Sequence, residues 1–319
     1  MKICLVTPAP HGSRKGNRVT ALRWAKILRS LGHRVAVEQE YRGQRCDLVV
    51  ALHARRSFPS IERFSHQHPN LPLILALTGT DLYGDIHDDP EARKSLEMAT
   101  RLVVLQPMGV GELPEHLRHK ARVIFQSAEK PPGKHPPRKG VFEACVLGHL
   151  RPVKDPLRAA KAARLLPPSS RLRVTHIGRA LSEEAEEQAR AEAASNPRYC
   201  WLRELPRWKA LRLLARSRLL VLTSHMEGGA NVLSEAIASS VPILCSRISS
   251  SIGILGPNYA GFFSVGDTNR LAELLLRAET EQGFYRELQD SCRGLQPLVE
   301  PARETRSWQE LLEEAGRTG

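Results

Sequence analysis

A chain of 319 residues has room for one large or two ordinary domains, and 41% apolar against 25% charged residues suits a globular protein with a real core. No run is long and apolar enough to span a bilayer, and residues 1–7 lack the apolar length and small-residue cleavage site of a signal peptide, so the chain is expected to be cytoplasmic with no transmembrane segment. The net charge of +13 admits nucleic acid, an anionic membrane or small anions as partners; with aromatics at 5% and basic residues spread along the whole chain, nucleic acid is disfavoured and small polyanions are expected.

Residues 2–7 open as a strand. Residues 17–31 follow as a helix, with Val19, Leu22, Ala25, Ile27, Leu28 and Leu31 at helical spacing. Further strands are expected at 34–38, 47–53, 73–78, 101–106 and 122–126, with helical segments between them. Apolar strands alternating with helices predict an α/β protein with a parallel sheet covered on both faces. Residues 129–140 are Pro-rich, basic and nearly devoid of apolar side chains, which marks a linker. The pattern then repeats, with strands at 143–147, 172–177, 199–202, 219–223, 242–246 and 261–265 and helices at 156–166, 183–194, 207–216, 231–239 and 269–279.

The expected organisation is therefore a Rossmann-like acceptor domain over 1–128, the linker 129–140, a Rossmann-like donor domain over 141–300, and a C-terminal helix at 301–319 that packs back on the first domain. Two such domains facing across a cleft make the GT-B architecture, and ligands of such sheets bind at the C-terminal ends of strands. Cys4, Cys46, Cys145, Cys200, Cys245 and Cys292 are scattered singly, without a C-x-x-C pair, and read as buried thiols rather than a disulfide framework or zinc site.

The strand at 219–223 runs into Glu227-Gly228-Gly229-Ala230-Asn231, and Glu235 follows eight positions after Glu227. Gly228 and Gly229 allow close approach of the backbone to a ligand. A helix starting at Asn231 offers free N–H groups and a positive dipole end to a diphosphate. Glu235 can accept two hydrogen bonds from a ribose diol, and Glu227 is placed to meet sugar hydroxyls. After the first strand of the second half comes Gly148-His149-Leu150-Arg151-Pro152-Val153-Lys154, where Arg151 and Lys154 can neutralise a leaving nucleoside diphosphate.

In the first half, the loop after strand one carries His11, Gly12, Ser13, Arg14, Lys15, Gly16, Asn17 and Arg18 before a helix, an arrangement suited to an anion. It is not a Walker A loop, because the Lys-Ser/Thr order is missing. His53, Arg55 and Arg56 follow the strand at 47–53, and Thr78, Gly79, Thr80 and Asp81 follow the strand at 73–78. A neutral sugar acceptor needs a general base. These loops offer many cations and one main carboxylate, Asp81, so an anionic acceptor is expected. Asp85, His87, Asp88 and Asp89 beside Pro90 read as helix capping rather than a metal site, and no metal or other cofactor is expected.

The G-x-x-R-x-x-K and E-x7-E elements resemble family 4 of the GT-B glycosyltransferases. That resemblance implies a UDP-sugar site at Gly148, Arg151, Lys154, Glu227 and Glu235, with Gly178 at a glycine turn near the nucleotide and Leu205 where the backbone meets the base; Gly12 and residues 228–231 complete the expected donor set. More narrowly, residues 2–10 and 13–25, Ala51-Leu52-His53-Ala54-Arg55-Arg56-Ser57, residues 75–83 and residues 148–151 are similar to the SenB-type selenosugar synthases of selenoneine biosynthesis.

The narrower resemblance implies transfer of N-acetylglucosamine or glucose from the UDP-sugar to selenophosphate, with loss of UDP and phosphate. It implies catalytic roles for Arg151, Lys154 and Glu227, with His53 or Asp81 positioning water. It also implies an acceptor anion site drawn from His11, Ser13, Arg14, Lys15, Asn17, Arg18, Arg55, Arg56, Thr78, Gly79 and Thr80. Two other readings stay open: a general family 4 hexosyltransferase acting on an alcohol or lipid, and a non-catalytic basic protein that binds nucleotides or nucleic acid. Preferred sugar, anomeric outcome and oligomeric state are not legible.

Overall fold

A computed structural model describes residues 1–13 and 16–316 of the chain. The chain divides into two compact units. Met1–Gln126, Glu227–Asn231 and the C-terminal helix Pro301–Gly316 belong to the first; Ser127–Met226 and Val232–Glu300 form the second.

In the first unit, β1 (Lys2–Val6), β2 (Arg34–Glu38), β3 (Leu48–Leu52), β4 (Leu73–Ala76), β5 (Arg101–Val104) and β6 (Ala121–Val123) make one parallel sheet in the order β2-β1-β3-β4-β5-β6. Helices α1 (Gly16–Ser30), α2 (Phe58–Gln67), the short turn α3 (Ile86–Asp88) and α4 (Pro90–Met98) join the strands. Successive side chains of a strand point to opposite faces. Ile3 and Leu5 thus pack with Trp24 and Leu28 in one layer, while Cys4 and Val6 pack with Ile61, Phe64 and Leu96 in the other. Both layers are apolar because both faces of the sheet are covered. The C-terminal helix closes the α1 layer. Trp308 meets Trp24 edge-on with centroids 4.8 Å apart, and buried Glu304 accepts the Trp24 indole N–H at 2.7 Å while pairing with Arg23 at 3.0 Å.

The second unit repeats the plan with β7 (Phe142–Leu147), β8 (Leu172–Ile177), β9 (Tyr199–Trp201), β10 (Leu219–Leu222), β11 (Ile243–Ser246) and β12 (Phe262–Phe263), all parallel, in the order β12-β11-β10-β7-β8-β9. Its helices are α5 (Arg158–Arg164), α6 (Glu183–Ser195), α7 (Arg207–Arg216), α8 (Asn231–Ala238), α9 (Ser249–Leu255), α10 (Thr268–Thr280) and α11 (Gln282–Gly294). Ser182 caps α6 by accepting from the Ala185 N–H, and Asp267 caps α10 by accepting from the Arg270 N–H.

Several elements are shorter than their apolar runs predict. The run at 101–106 leaves the sheet after Val104, because Gln106 turns to cap a tight 3₁₀ turn at Pro107–Val110 through the Met108 N–H. The strand expected at 122–126 spans Ala121–Val123 and the one at 261–265 spans Phe262–Phe263; both lie at sheet edges, with a single strand neighbour to hold them. The helix expected from 156 starts at Arg158, because Pro152–Lys154 form a 3₁₀ turn and Asp155 takes a left-handed conformation at φ 44°.

Strand order reverses between β1 and β3 in the first sheet and between β7 and β10 in the second. At such a switch point the flanking loops diverge and leave a crevice beyond the strand ends.

On β8, next to β7, His176 is fully buried. Its Nδ1 lies 2.9 Å from the Tyr199 hydroxyl and its Nε2 lies 3.0 Å from the Gly148 carbonyl. The carbonyl can only accept, so Nε2 carries the proton and Nδ1 accepts from Tyr199. Burial pushes the imidazole pKa down from 6.5 to about 4. The unfolded chain therefore takes up a proton near pH 6.5 that the folded chain takes up only near pH 4. Stability is lost as pH falls through that window, by on the order of 3 kcal/mol at its acid end. His176→Gln, which cannot titrate, should flatten the dependence of the urea midpoint on pH between 6.5 and 4. A variant as acid-sensitive as the parent would show that the loss arises elsewhere.

Candidate functional site

In the second unit, the loop after β7 carries Gly148, Arg151 and Lys154. Leu150 forms an isolated parallel bridge with Ala180, which ties the loop to the end of β8. On its other side the loop is pinned to the chain leaving β10. The Thr223 hydroxyl faces the carbonyls of Lys154 and Asp155 at 2.9 and 2.8 Å, and the His225 N–H donates to the Val153 carbonyl at 2.9 Å. Asp155 is held by Arg158 at 2.6 Å. Arg151 is exposed and Lys154 half-buried on a loop fixed at both flanks.

Gly178 is buried against this loop, where a Cβ would collide with the Gly148 carbonyl. Its role in the fold is thus backbone-to-backbone packing. The Trp201 indole N–H donates to its carbonyl at 2.8 Å. Leu205, half-buried, precedes α7. Glu235 lies in the second turn of α8 and is only 4% exposed; its carboxylate Oε1 pairs with Arg207 Nη2 at 2.6 Å. Arg207 was not singled out in the sequence. A basic residue opening a helix after Pro206 looks like ordinary surface charge, and only the fold aims it at Glu235.

The stretch Glu227–Asn231 groups with the first unit. A Cβ on Gly228 would run into the Thr78 carbonyl carbon and oxygen, one on Gly79 would come within 2.9 Å of the Gly228 nitrogen, and one on Gly229 would press on the Leu105 side chain. The absence of side chains at these two glycines admits the chain's own backbone and Leu105. Ala230 is buried and Glu227 half-buried, and the Asn231 side-chain oxygen accepts from Arg23 at 2.7 Å.

At the switch point of the first unit, His11 and Gly12 are exposed, Ser13 is half-buried, and Arg14 and Lys15 lie outside the described residues. Asn17 is half-buried at the start of α1. Arg18 is buried, with one guanidinium nitrogen 3.4 Å from His11 Nδ1 and the other, Nη1, without a hydrogen-bond partner among the described residues.

His53 follows β3 in a left-handed conformation, at φ 78°. Its Nδ1 accepts from the Arg56 N–H at 3.4 Å, so the proton sits on Nε2, 3.1 Å from the Thr80 hydroxyl and 3.8 Å from Asp85. Burial holds its pKa below the ordinary value, against the pull of Asp81 and Asp85. Arg55 and Arg56 are exposed, and Arg55 pairs with Asp85 at 3.4 Å.

Asp81 is fully buried. Its Oδ1 accepts from the N–H groups of Thr78 and Gly79 at 2.9 and 2.8 Å, and its Oδ2 accepts from Ala54 at 3.0 Å. The carboxylate expected as a candidate to position water is thereby a clamp joining the loops after β3 and β4. Asp89 caps α4 through the Ala92 N–H at 2.9 Å. Among the described residues no three His, Cys, Asp or Glu side chains gather as a metal ion would require.

Two α/β units, each with six parallel strands and a switch point edged by cationic loops, define a protein of the GT-B class. The sequence profile of the family described as glycosyl transferases group 1 matches residues 127–293, and the chain belongs to that family. No curated protein is significantly similar in sequence. Among solved structures, the chain is similar to Anabaena HepE in complex with UDP and glucose, at 14% identity and a TM-score of 0.75 over 98% of this chain and 100% of that one. It is similar to sucrose-phosphate synthase from Thermosynechococcus elongatus at 14% identity and a TM-score of 0.75, covering 100% of both chains. Trehalose-6-phosphate synthase from E. coli, bound with UDP-2-fluoro glucose, matches at 12% identity and a TM-score of 0.74 over 99% of each chain. No described helix is long and apolar enough to cross a membrane.

The glycines of the β7 loop yield a contrast. Gly178→Ala should destabilise the second unit by at least about 2 kcal/mol, read as a lower unfolding midpoint, because backbone must shift to admit the methyl group. Gly148→Ala, with open space at its Cβ position, should fold like the parent.

Proposed function

We propose that this glycosyl transferase moves N-acetylglucosamine or glucose from a UDP-sugar to selenophosphate. The selenium lone pair forms a bond to the anomeric carbon as the bond from that carbon to the UDP oxygen breaks and UDP leaves with the electron pair. Water then cleaves the phosphorus–selenium bond, releasing phosphate and the selenosugar. Selenium in selenophosphate is already a soft anionic nucleophile, so its attack requires no general base.

The donor side of this reading uses Gly148, Arg151 and Lys154 for the diphosphate, Glu235 for the ribose, Gly178 and Leu205 near the nucleoside, and Glu227 with residues 228–231 toward the sugar. Family membership supports a transferase, and HepE, solved with UDP and with UDP-glucose, supports a UDP-sugar donor. Arg151 and Lys154 supply the charge that a leaving diphosphate needs, and the reaction as written calls for no metal. The acceptor side draws on Ser13, Asn17, Arg18, Arg55, Arg56, Thr78, Gly79 and Thr80, together with His11, Arg14 and Lys15. The division of labour is an acceptor domain over 1–128 and a donor domain over 141–300.

The observation that carries the anionic acceptor is the state of the two groups that could serve as a base. Asp81 has both oxygens engaged by backbone N–H groups, and both ring nitrogens of His53 are occupied, while cations edge the same loops. An acceptor that needs no deprotonation fits this arrangement better than an alcohol does.

Incubation with UDP-N-acetylglucosamine or UDP-glucose should release UDP when selenophosphate is added, with a selenosugar mass among the products. Glu235→Ala should lower kcat/KM by about a hundredfold. Release of UDP with alcohols but not with selenophosphate would favour a general hexosyltransferase. RNA or DNA binding tighter than UDP binding, with no UDP release, would favour a non-catalytic binding protein.

A further inference from the structure

The fold places an arginine against the one donor-side carboxylate that is almost wholly removed from water. Glu235 is 4% exposed, and a carboxylate so placed is costly to bury without a counter-charge. Arg207 supplies that charge at 2.6 Å, while its own side chain stays 48% exposed. It does so from the first position of α7, two residues after Leu205, the residue expected beside the base. One ion pair therefore links the stretch expected at the base of a nucleotide to the carboxylate expected at its ribose, and both partners lie in the second unit.

We propose that Arg207 is a positioning residue of the donor site: by its close ionic contact it holds the Glu235 carboxylate toward the two ribose hydroxyls of a nucleoside diphosphate. The proposal rests on the reading of Glu235 as the ribose carboxylate. It accounts for a long, half-exposed side chain being held to a buried acid, an arrangement that costs side-chain freedom and contributes little when both partners are on the surface.

The test is calorimetric titration of the full chain with UDP and with 2′-deoxy-UDP. The parent should prefer UDP. Arg207→Ala should weaken UDP binding by about tenfold and bring the two nucleotides close to equal affinity. Arg207→Lys should restore the charge and most of the affinity. Adding Arg207→Ala to Glu235→Ala should change neither affinity further, because the arginine acts through the glutamate. In turnover the loss should appear in the donor KM more than in kcat.

A purely structural ion pair would lower the unfolding midpoint of Arg207→Ala and leave the ratio of the two nucleotides unchanged; that result overturns the proposal. So does an equal loss of affinity in the parent and Glu235→Ala backgrounds. A parent protein that binds UDP without distinguishing it from 2′-deoxy-UDP would remove the ribose role of Glu235 itself, a failure of the underlying reading visible before any arginine variant is made.

Discussion

Six parallel strands deliver their C-terminal ends to one edge of each sheet, and at one point in each sheet the strand order reverses. Between β7 and β10 the strand order reverses, and the chain leaving each strand runs on to a different side of the sheet. What keeps this switch point ordered is a small set of backbone bonds. The Thr223 hydroxyl faces the Lys154 and Asp155 carbonyls, the His225 N–H takes the Val153 carbonyl, and the Leu150 bridge holds the far side. Arg151 and Lys154 are thus presented on a loop fixed on both flanks.

The same economy governs the glycines. Gly178 lets the end of β8 lie against the β7 loop, and His176 beneath it donates to the Gly148 carbonyl, so the loop rests on a buried neutral imidazole. Gly228 and Gly79 bring the stretch after β10 against the Thr78 carbonyl, where any side chain would force the backbones apart. Pattern matching reads such glycines as openings for a ligand. Here their first effect is to allow the close packing that sets the neighbouring charged residues in place.

Much of this was legible in the sequence because the covered sheets demand apolar residues at nearly every strand position, as in Leu48–Leu52 and Leu219–Leu222, and because turn residues bound each run. The two βα halves, the parallel sheets and the loops worth inspecting follow from that pattern. The apolar pattern overruns the ends of some strands: β6, at a sheet edge, stops at Val123, and β5 stops at Val104, where Gln106 turns to cap the next 3₁₀ turn. Asp81 illustrates what could not be read. Its sequence position, after a strand and beside threonines, suits a base as well as a clamp, and only folding brings the Ala54 N–H to its second oxygen. Arg207 is the converse, an unremarkable surface residue by pattern that the fold aims at Glu235.

The proposed donor reading requires a nucleoside diphosphate at the C-terminal ends of β7 and β10. Diffraction from crystals of the full chain soaked with UDP tests it directly. Density is expected for the diphosphate beside Arg151 and Lys154 and for the ribose at Glu235. Density for UDP away from the C-terminal ends of β7 and β10, or at Glu143 and the opposite ends of those strands, would contradict it.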